Sequence, residues 1–271
     1  MKKPTPIAIF AILVFACAGF AEDVLKFHSL APNGSESAVL VLAPGMNTDG
    51  RFFLSEAPWV DFAQKNKLGL IALNYHSDIE DLFSNKKGYF WPDQGSGRAL
   101  LDEIKRLYGR DLPILIYGFS GGAQFTGRFI DFAPDRIVAW CAYSAQFWDE
   151  PKDEKTGTSA RGIVACGEFD GMRWQPSFSF FYQGRMKNRP WIWLSVSKAE
   201  HNRSARLENF IRDFFSEELA IRLGGKKAGR DIVSDISNTD NPLLKLTDSN
   251  GLKCIFRTRH LADFWGKIHS Q

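Results

Sequence analysis

Cysteine is scarce in this chain of 271 residues, which holds only four. Cys17 lies in an apolar N-terminal stretch, and Cys141, Cys166 and Cys254 form an odd set, which excludes a disulfide framework for the rest of the chain. No two cysteines have C-x-x-C spacing and no group of His and Cys has the spacing of metal ligands. Nothing in the sequence therefore asks for a metal or a cofactor. An excess of charge of either sign is missing too. The 34 basic residues face 31 acidic ones, a formal net charge of +3, which leaves no electrostatic footprint for nucleic acid. Apolar runs fall short of the roughly 20 residues that a spanning helix requires, so no stable membrane span is expected. Internal repeats and low-complexity tracts are absent, which sets aside solenoids and long disordered linkers.

What is present begins with Met1-Lys2-Lys3, an apolar stretch from Ile7 to Phe15, and small residues at Gly19 and Ala21. This is the layout of a secretory signal peptide cleaved after Ala21, so a secreted or periplasmic protein is expected. Val14-Phe15-Ala16-Cys17 faintly resembles a lipoprotein box, with a lipid anchor at Cys17 as the alternative, but Phe15 fits that pattern poorly. Loss of residues 1–21 removes Lys2 and Lys3 and no acidic residue, which lowers the net charge from +3 to +1. The remainder, about 250 residues, is long enough for one sizeable core.

Short aliphatic runs alternate with helical patterns along that remainder. Ala38 to Leu42, Leu68 to Leu73, Ile114 to Tyr117, Ile137 to Ala142, Gly162 to Cys166 and Trp191 to Val196 read as strands. Ala57 to Gln64, Gly97 to Tyr108, Ala123 to Phe132 and Pro176 to Lys187 read as helices. The alternation predicts an α/β domain over 22–223, with a mostly parallel twisted sheet and helices on both faces. Unbroken hydrophobicity in the strands says the same, since both of their faces must be buried. Cys141 and Cys166 fall inside these strands and read as packing groups. A closing helix from Arg203 to Leu223 places Leu207, Phe210, Ile211, Phe214 and Phe215 on one stripe.

Residues 224–271 differ in character and read as an appendage packed on the core. Leu243 to Leu246 and Cys254 to Phe256 flank Asn250-Gly251, a dipeptide suited to a tight hairpin turn. A short helix carrying Leu261, Phe264, Trp265 and Ile268 follows and is expected to dock the hairpin.

The most informative segment is Gly118-Phe119-Ser120-Gly121-Gly122, between the apolar run Leu112 to Tyr117 and the helix from Ala123. A strand entering a helix through so sharp a turn forces Ser120 into a strained backbone and holds its hydroxyl outward. Glycine two places to either side avoids a clash with the neighbouring strand and helix. A serine hydroxyl is a poor nucleophile at neutral pH, so it requires a histidine to take its proton and a carboxylate to orient that histidine. The strand Gly162 to Cys166 leads into Gly167-Glu168-Phe169-Asp170, and Trp191 to Val196 leads into Lys198-Ala199-Glu200-His201. If these strands run parallel to the one before Ser120, all three side chains reach one carboxyl edge of the sheet.

At these residues the chain resembles the α/β-hydrolase superfamily, over roughly Val39 to Leu223. The resemblance implies Ser120 as nucleophile, Asp170 as acid and His201 as general base, in that order along the chain. Within the superfamily the layout is most similar to secreted esterases related to polyhydroxybutyrate depolymerases, feruloyl esterases and dienelactone hydrolases. Glu168 and Asp149 stand as alternative carboxylates. His28 and His76 precede the serine, while His260 and His269 belong to the appendage, which leaves His201 by order.

Acyl transfer also needs two N–H donors for the developing oxyanion. Gly121, next after the nucleophile, offers one backbone amide. Met46, in the loop Ala43-Pro44-Gly45-Met46-Asn47, offers the other, although the superfamily commonly carries His-Gly where this chain has Pro44-Gly45. The loop from His76 to Gln94 holds Phe83, Tyr89, Phe90, Trp91 and Pro92. Phe119, Trp91, Trp148 and Trp174 are candidate substrate-pocket residues, with core packing as the competing role. The expected function is a serine esterase acting on a small-molecule or polymer-linked ester. The alternatives are a peptidase resembling prolyl oligopeptidases and a binding protein on a hydrolase scaffold.

Overall fold

A computed structural model describes residues 24–153, 155–227, 231–235 and 252–269. Seven strands form one sheet: β1 (Val24–Ser29), β2 (Ala38–Ala43), β3 (Leu68–His76), β4 (Ile114–Phe119), β5 (Ile137–Tyr143), β6 (Arg161–Gly167) and β7 (Trp191–Val196). Their order in space is β1-β3-β2-β4-β5-β6-β7, with β1 antiparallel to β3 and every other pairing parallel. Every residue of β2, β5, β6 and β7 is buried, and because side chains alternate across a strand, both faces of the sheet are covered. The covering helices are α1 (Ala57–Lys65), α2 (Ile79–Phe83), α3 (Ser96–Tyr108), α4 (Gly121–Phe132), α5 (Gly171–Met186) and α6 (Ala205–Arg222). None of the described helices is long and apolar enough to cross a membrane.

The six expected strands are all present, and β1 is an addition. It is an edge strand of half-buried residues, without the continuous apolar run that marks its neighbours. Four helices begin at other points than the sequence suggests: α3 at Ser96 and α4 at Gly121, one and two residues early, and α5 and α6. α5 starts at Gly171 and carries Pro176 inside it, whereas proline usually opens a helix. The carbonyl of Met172 loses its intrahelical donor there, but Met172 is exposed and water can serve it. α6 starts at Ala205 behind an N-cap at Ser204, whose hydroxyl accepts from the amide of Leu207, so Arg203 stands outside the helix.

In the C-terminal region β8 (Ile232–Asp235) pairs antiparallel with β9 (Lys253–Phe256), and α7 (Arg259–His269) follows. The expected strand over Cys254 to Phe256 exists, and its partner among the described residues is β8. Leu243 to Leu246 and Asn250-Gly251 lie outside the described residues. This region covers the free edge of the sheet. The amide of Trp193 in β7 donates to the Cys254 thiol at 3.2 Å, and its carbonyl accepts from the Trp265 indole at 2.7 Å. Edge backbone that would otherwise offer pairing sites to another chain is thereby occupied. Cys141 and Cys166 are free, buried thiols, and Cys254 is buried against β7.

Candidate active site

Ser120 follows directly on β4 and precedes α4. Its backbone has φ 54 and ψ −115, a left-handed conformation that non-glycine residues rarely adopt and that holds the side chain away from sheet and helix. The flanking glycines leave room for this turn. A Cβ on Gly118 would stand 2.2 Å from the carbonyl oxygen of Gly122, and one on Gly122 would stand 2.2 Å from that of Ala43. The Ser120 amide donates to the carbonyl of Tyr143, which ties the turn to the end of β5.

Asp170 and His201 come from the ends of β6 and β7, and the structure brings both to Ser120. The Ser120 Oγ lies 2.9 Å from His201 Nε2, and His201 Nδ1 lies 2.7 Å from Asp170 Oδ2. A carboxylate can only accept, so Nδ1 carries the ring proton, and Nε2 of the neutral imidazole is left to accept from the serine hydroxyl. Asp170 is buried, and its other oxygen accepts from Arg173 Nη1 at 3.0 Å. Asp149 instead pairs with Arg128, and Glu168 accepts from the amide of Lys198 and the hydroxyl of Ser197. Neither alternative carboxylate touches the imidazole. Phe119 backs the ring, stacked at 5.0 Å between centroids.

Met46 and Gly121 meet beside the serine. A Cβ on Gly121 would stand 2.7 Å from the Met46 nitrogen, so the two backbones are in close contact. Neither amide has an intramolecular acceptor among the described residues. Two residues named above only as members of their loops hold this one. Asn47, at φ 50, exchanges side-chain hydrogen bonds with the backbone of Ser77, at 2.9 and 3.1 Å. The amide of Asn47 donates to the Tyr89 hydroxyl at 3.3 Å, and burial holds that phenol above its ordinary pKa, so it stays neutral. An asparagine at a strand-end turn is the one local signal, because Asn tolerates left-handed backbone.

The tryptophans expected to form a pocket wall take separate places. Trp174 is core: it is buried against Trp193, and its indole donates to Ser195 Oγ at 2.9 Å. Trp148 stacks on Phe180 and lines a cavity of about 490 Å³ with Gln146, Phe147 and Gln183. Trp91 lies 3.8 Å from the Arg128 guanidinium and lines a second cavity of about 290 Å³. Neither cavity includes Ser120 or His201 among its lining residues. Arg128 lies seven residues, hence about 10 Å, along α4 from its start at Gly121.

Among other nucleophilic groups, Cys166 has its thiol pushed up to about 12 by burial, which leaves it a packing group. No group of three His, Cys, Asp or Glu side chains among the described residues is arranged to hold a metal ion.

No family model and no curated protein matches the sequence. Solved structures do match the fold. Esterase PE8 is similar over 72% of this chain and 99% of its own, with 18% identity and a TM-score of 0.56. The fluorophosphonate-binding serine hydrolase F of Staphylococcus aureus matches over 73% and 98%, at 13% identity and a TM-score of 0.51. Est1E from Butyrivibrio proteoclasticus matches over 72% and 95%, at 14% identity and a TM-score of 0.50. Together with the strand order and the serine turn between β4 and α4, these likenesses show that the chain has the α/β-hydrolase fold.

Proposed function

We propose that the protein is a secreted serine hydrolase that cleaves carboxylic esters through an acyl-enzyme. The observation that carries this reading is the unbroken line from the Ser120 hydroxyl through the His201 imidazole to the Asp170 carboxylate, at 2.9 and 2.7 Å. His201 Nε2 takes the hydroxyl proton as Ser120 Oγ bonds to the ester carbonyl carbon. The carbonyl oxygen becomes an oxyanion that accepts from the amides of Met46 and Gly121. Collapse of the tetrahedral adduct breaks the ester bond, and His201 returns the proton to the departing alcohol. Water then repeats the sequence on the acyl-serine and releases the acid. Asp170 keeps the proton on Nδ1 and stabilises the imidazolium that forms at each step.

Esterases and serine hydrolases among the proteins of similar fold favour this chemistry, and the signal-peptide-like pattern of residues 1–21 favours export. No step of the scheme calls on a cofactor. A short p-nitrophenyl ester tests the proposal. The wild type should hydrolyse it, and Ser120→Ala should lose roughly 10⁶-fold in kcat while keeping its melting temperature. Undiminished turnover by that variant would overturn the assignment, and cleavage of proline-containing peptides in preference to esters would replace esterase by peptidase.

A further inference from the structure

We propose that Arg203 is a positioning residue for the His201 base, an assignment that rests on the reading of Ser120, His201 and Asp170 given above. His201 lies in the stretch from Ser197 to Ser204, which has no helix or strand of its own to hold it. Arg203 follows the imidazole by two residues and spends its whole guanidinium on two carboxylates. Nη1 and Nη2 donate to Glu56 at 2.7 and 2.6 Å, while Nε and Nη2 donate to Glu208 at 2.7 and 3.0 Å. Two bidentate pairs on one planar group fix its orientation as well as its position. The ring of Phe53 lies 4.5 Å from the guanidinium and closes one face of it.

The two carboxylates lead to the other parts of the site. Glu208 also accepts from the Tyr117 hydroxyl at 3.2 Å, and Tyr117 is fully buried in β4, three residues before Ser120. Glu56 ends the segment that begins at Met46 and passes through the 3-10 helix Gly50–Ser55. The Arg203 cluster therefore joins the base-bearing loop to the nucleophile strand and to the segment behind the second amide donor. One residue nearer to the imidazole, the Tyr143 hydroxyl donates to the Asn202 carbonyl at 2.7 Å. On the N-terminal side of His201 the Ala199 carbonyl accepts from the amide of Phe169 at 2.8 Å. His201 is thus gripped between residues on both sides. Arg203 touches no reacting atom and acts through this grip.

The experiment compares the wild type with Arg203→Lys, Arg203→Ala and Glu56→Gln by kcat and KM on a p-nitrophenyl ester, by the rate of Ser120 phosphonylation with a fluorophosphonate, and by melting temperature. A displacement of about 1 Å at a reacting group costs on the order of 10²-fold. Arg203→Lys and Glu56→Gln should therefore lower kcat by roughly 10- to 100-fold with KM unchanged, and phosphonylation should slow by the same factor. Millimolar guanidinium should restore part of the rate lost by Arg203→Ala, which a purely structural role would not produce. If the arginine variants fail to fold, Glu56→Gln decides, because Glu56 is partly exposed and Arg203 keeps Glu208 as its partner. Variants that melt earlier but phosphonylate at the wild-type rate would reduce Arg203 to a staple of the fold and end the proposal. A wild type that neither reacts with the probe nor hydrolyses the ester would overturn the serine-hydrolase reading itself, and the assignment with it.

Discussion

Among the described residues, five helices begin behind a serine or aspartate, and they divide into two kinds. At Asp49, Asp78 and Ser204 the side chain accepts from an amide of the helix it opens, the usual use of such a residue. Ser120 and Asp170 stand at the same position before α4 and α5, yet neither caps its helix. Both side chains turn to His201 instead. A cap contributes about 1 kcal/mol, so each of these helices forgoes that stabilisation at the point where two strands deliver polar groups to one rim. Local rules broken without local compensation mark the places where a fold serves chemistry.

The contrast is sharpest at Asp170. Asp170→Asn should lower kcat by about 10⁴-fold by allowing the wrong imidazole tautomer, while costing α5 no cap. Asp78→Ala is its mirror: a loss of about 1 kcal/mol in stability with kcat unchanged. Denaturant titration beside ester kinetics reads both. A large stability loss without a rate effect at Asp170, or a rate effect at Asp78, would erase the distinction between the two kinds of cap.

A pH-dependent effect separates the rim from the C-terminal region. His269 in α7 is half-buried beside Trp265, its Nε2 has no hydrogen-bond partner among the described residues, and burial lowers its pKa from 6.5 to about 4. Its folded form favours the neutral ring. The contribution is therefore intact above pH 6.5, is lost progressively as the pH falls from 6.5 towards 4, and falls no further below that. The loss should be roughly 1 to 3 kcal/mol, discounted for the ring's partial exposure. His269→Gln should flatten the acid limb of the stability curve measured by urea unfolding. An acid limb unchanged by that substitution would place the pH sensitivity elsewhere.

Much of this arrangement can be read along the chain, and the reasons differ from residue to residue. The turn at Ser120 is legible because its geometry is local: strain at one residue demands glycine at fixed offsets, and Gly118 and Gly122 supply it. The buried strands are legible because a strand covered on both faces shows a continuous apolar run. The places after two such runs offer Glu168, Asp170 and His201, and the resemblance to the α/β-hydrolase order is what favours Asp170 over Glu168. Other features depend on partners far away in sequence. Arg203 meets Glu56 across 147 residues, and no spacing rule announces such a pair. Trp174 follows the end of β6 as a pocket residue would, but its helix starts earlier than Pro176 suggests and turns the indole into the core. β1 carries the weak pattern of a half-exposed edge, and β9 pairs with β8 by a register that apolar alternation alone does not specify.

The central claim is that the strained serine attacks the ester carbonyl with the aid of the imidazole beside it. Acid-quenching the protein during turnover of p-nitrophenyl acetate, followed by peptide mass analysis, measures this directly. One acetyl group is expected on the peptide that contains Ser120, and none on the same peptide of Ser120→Ala. An acetyl group on a different side chain, or turnover that leaves Ser120 unmodified at every quench time, would contradict it.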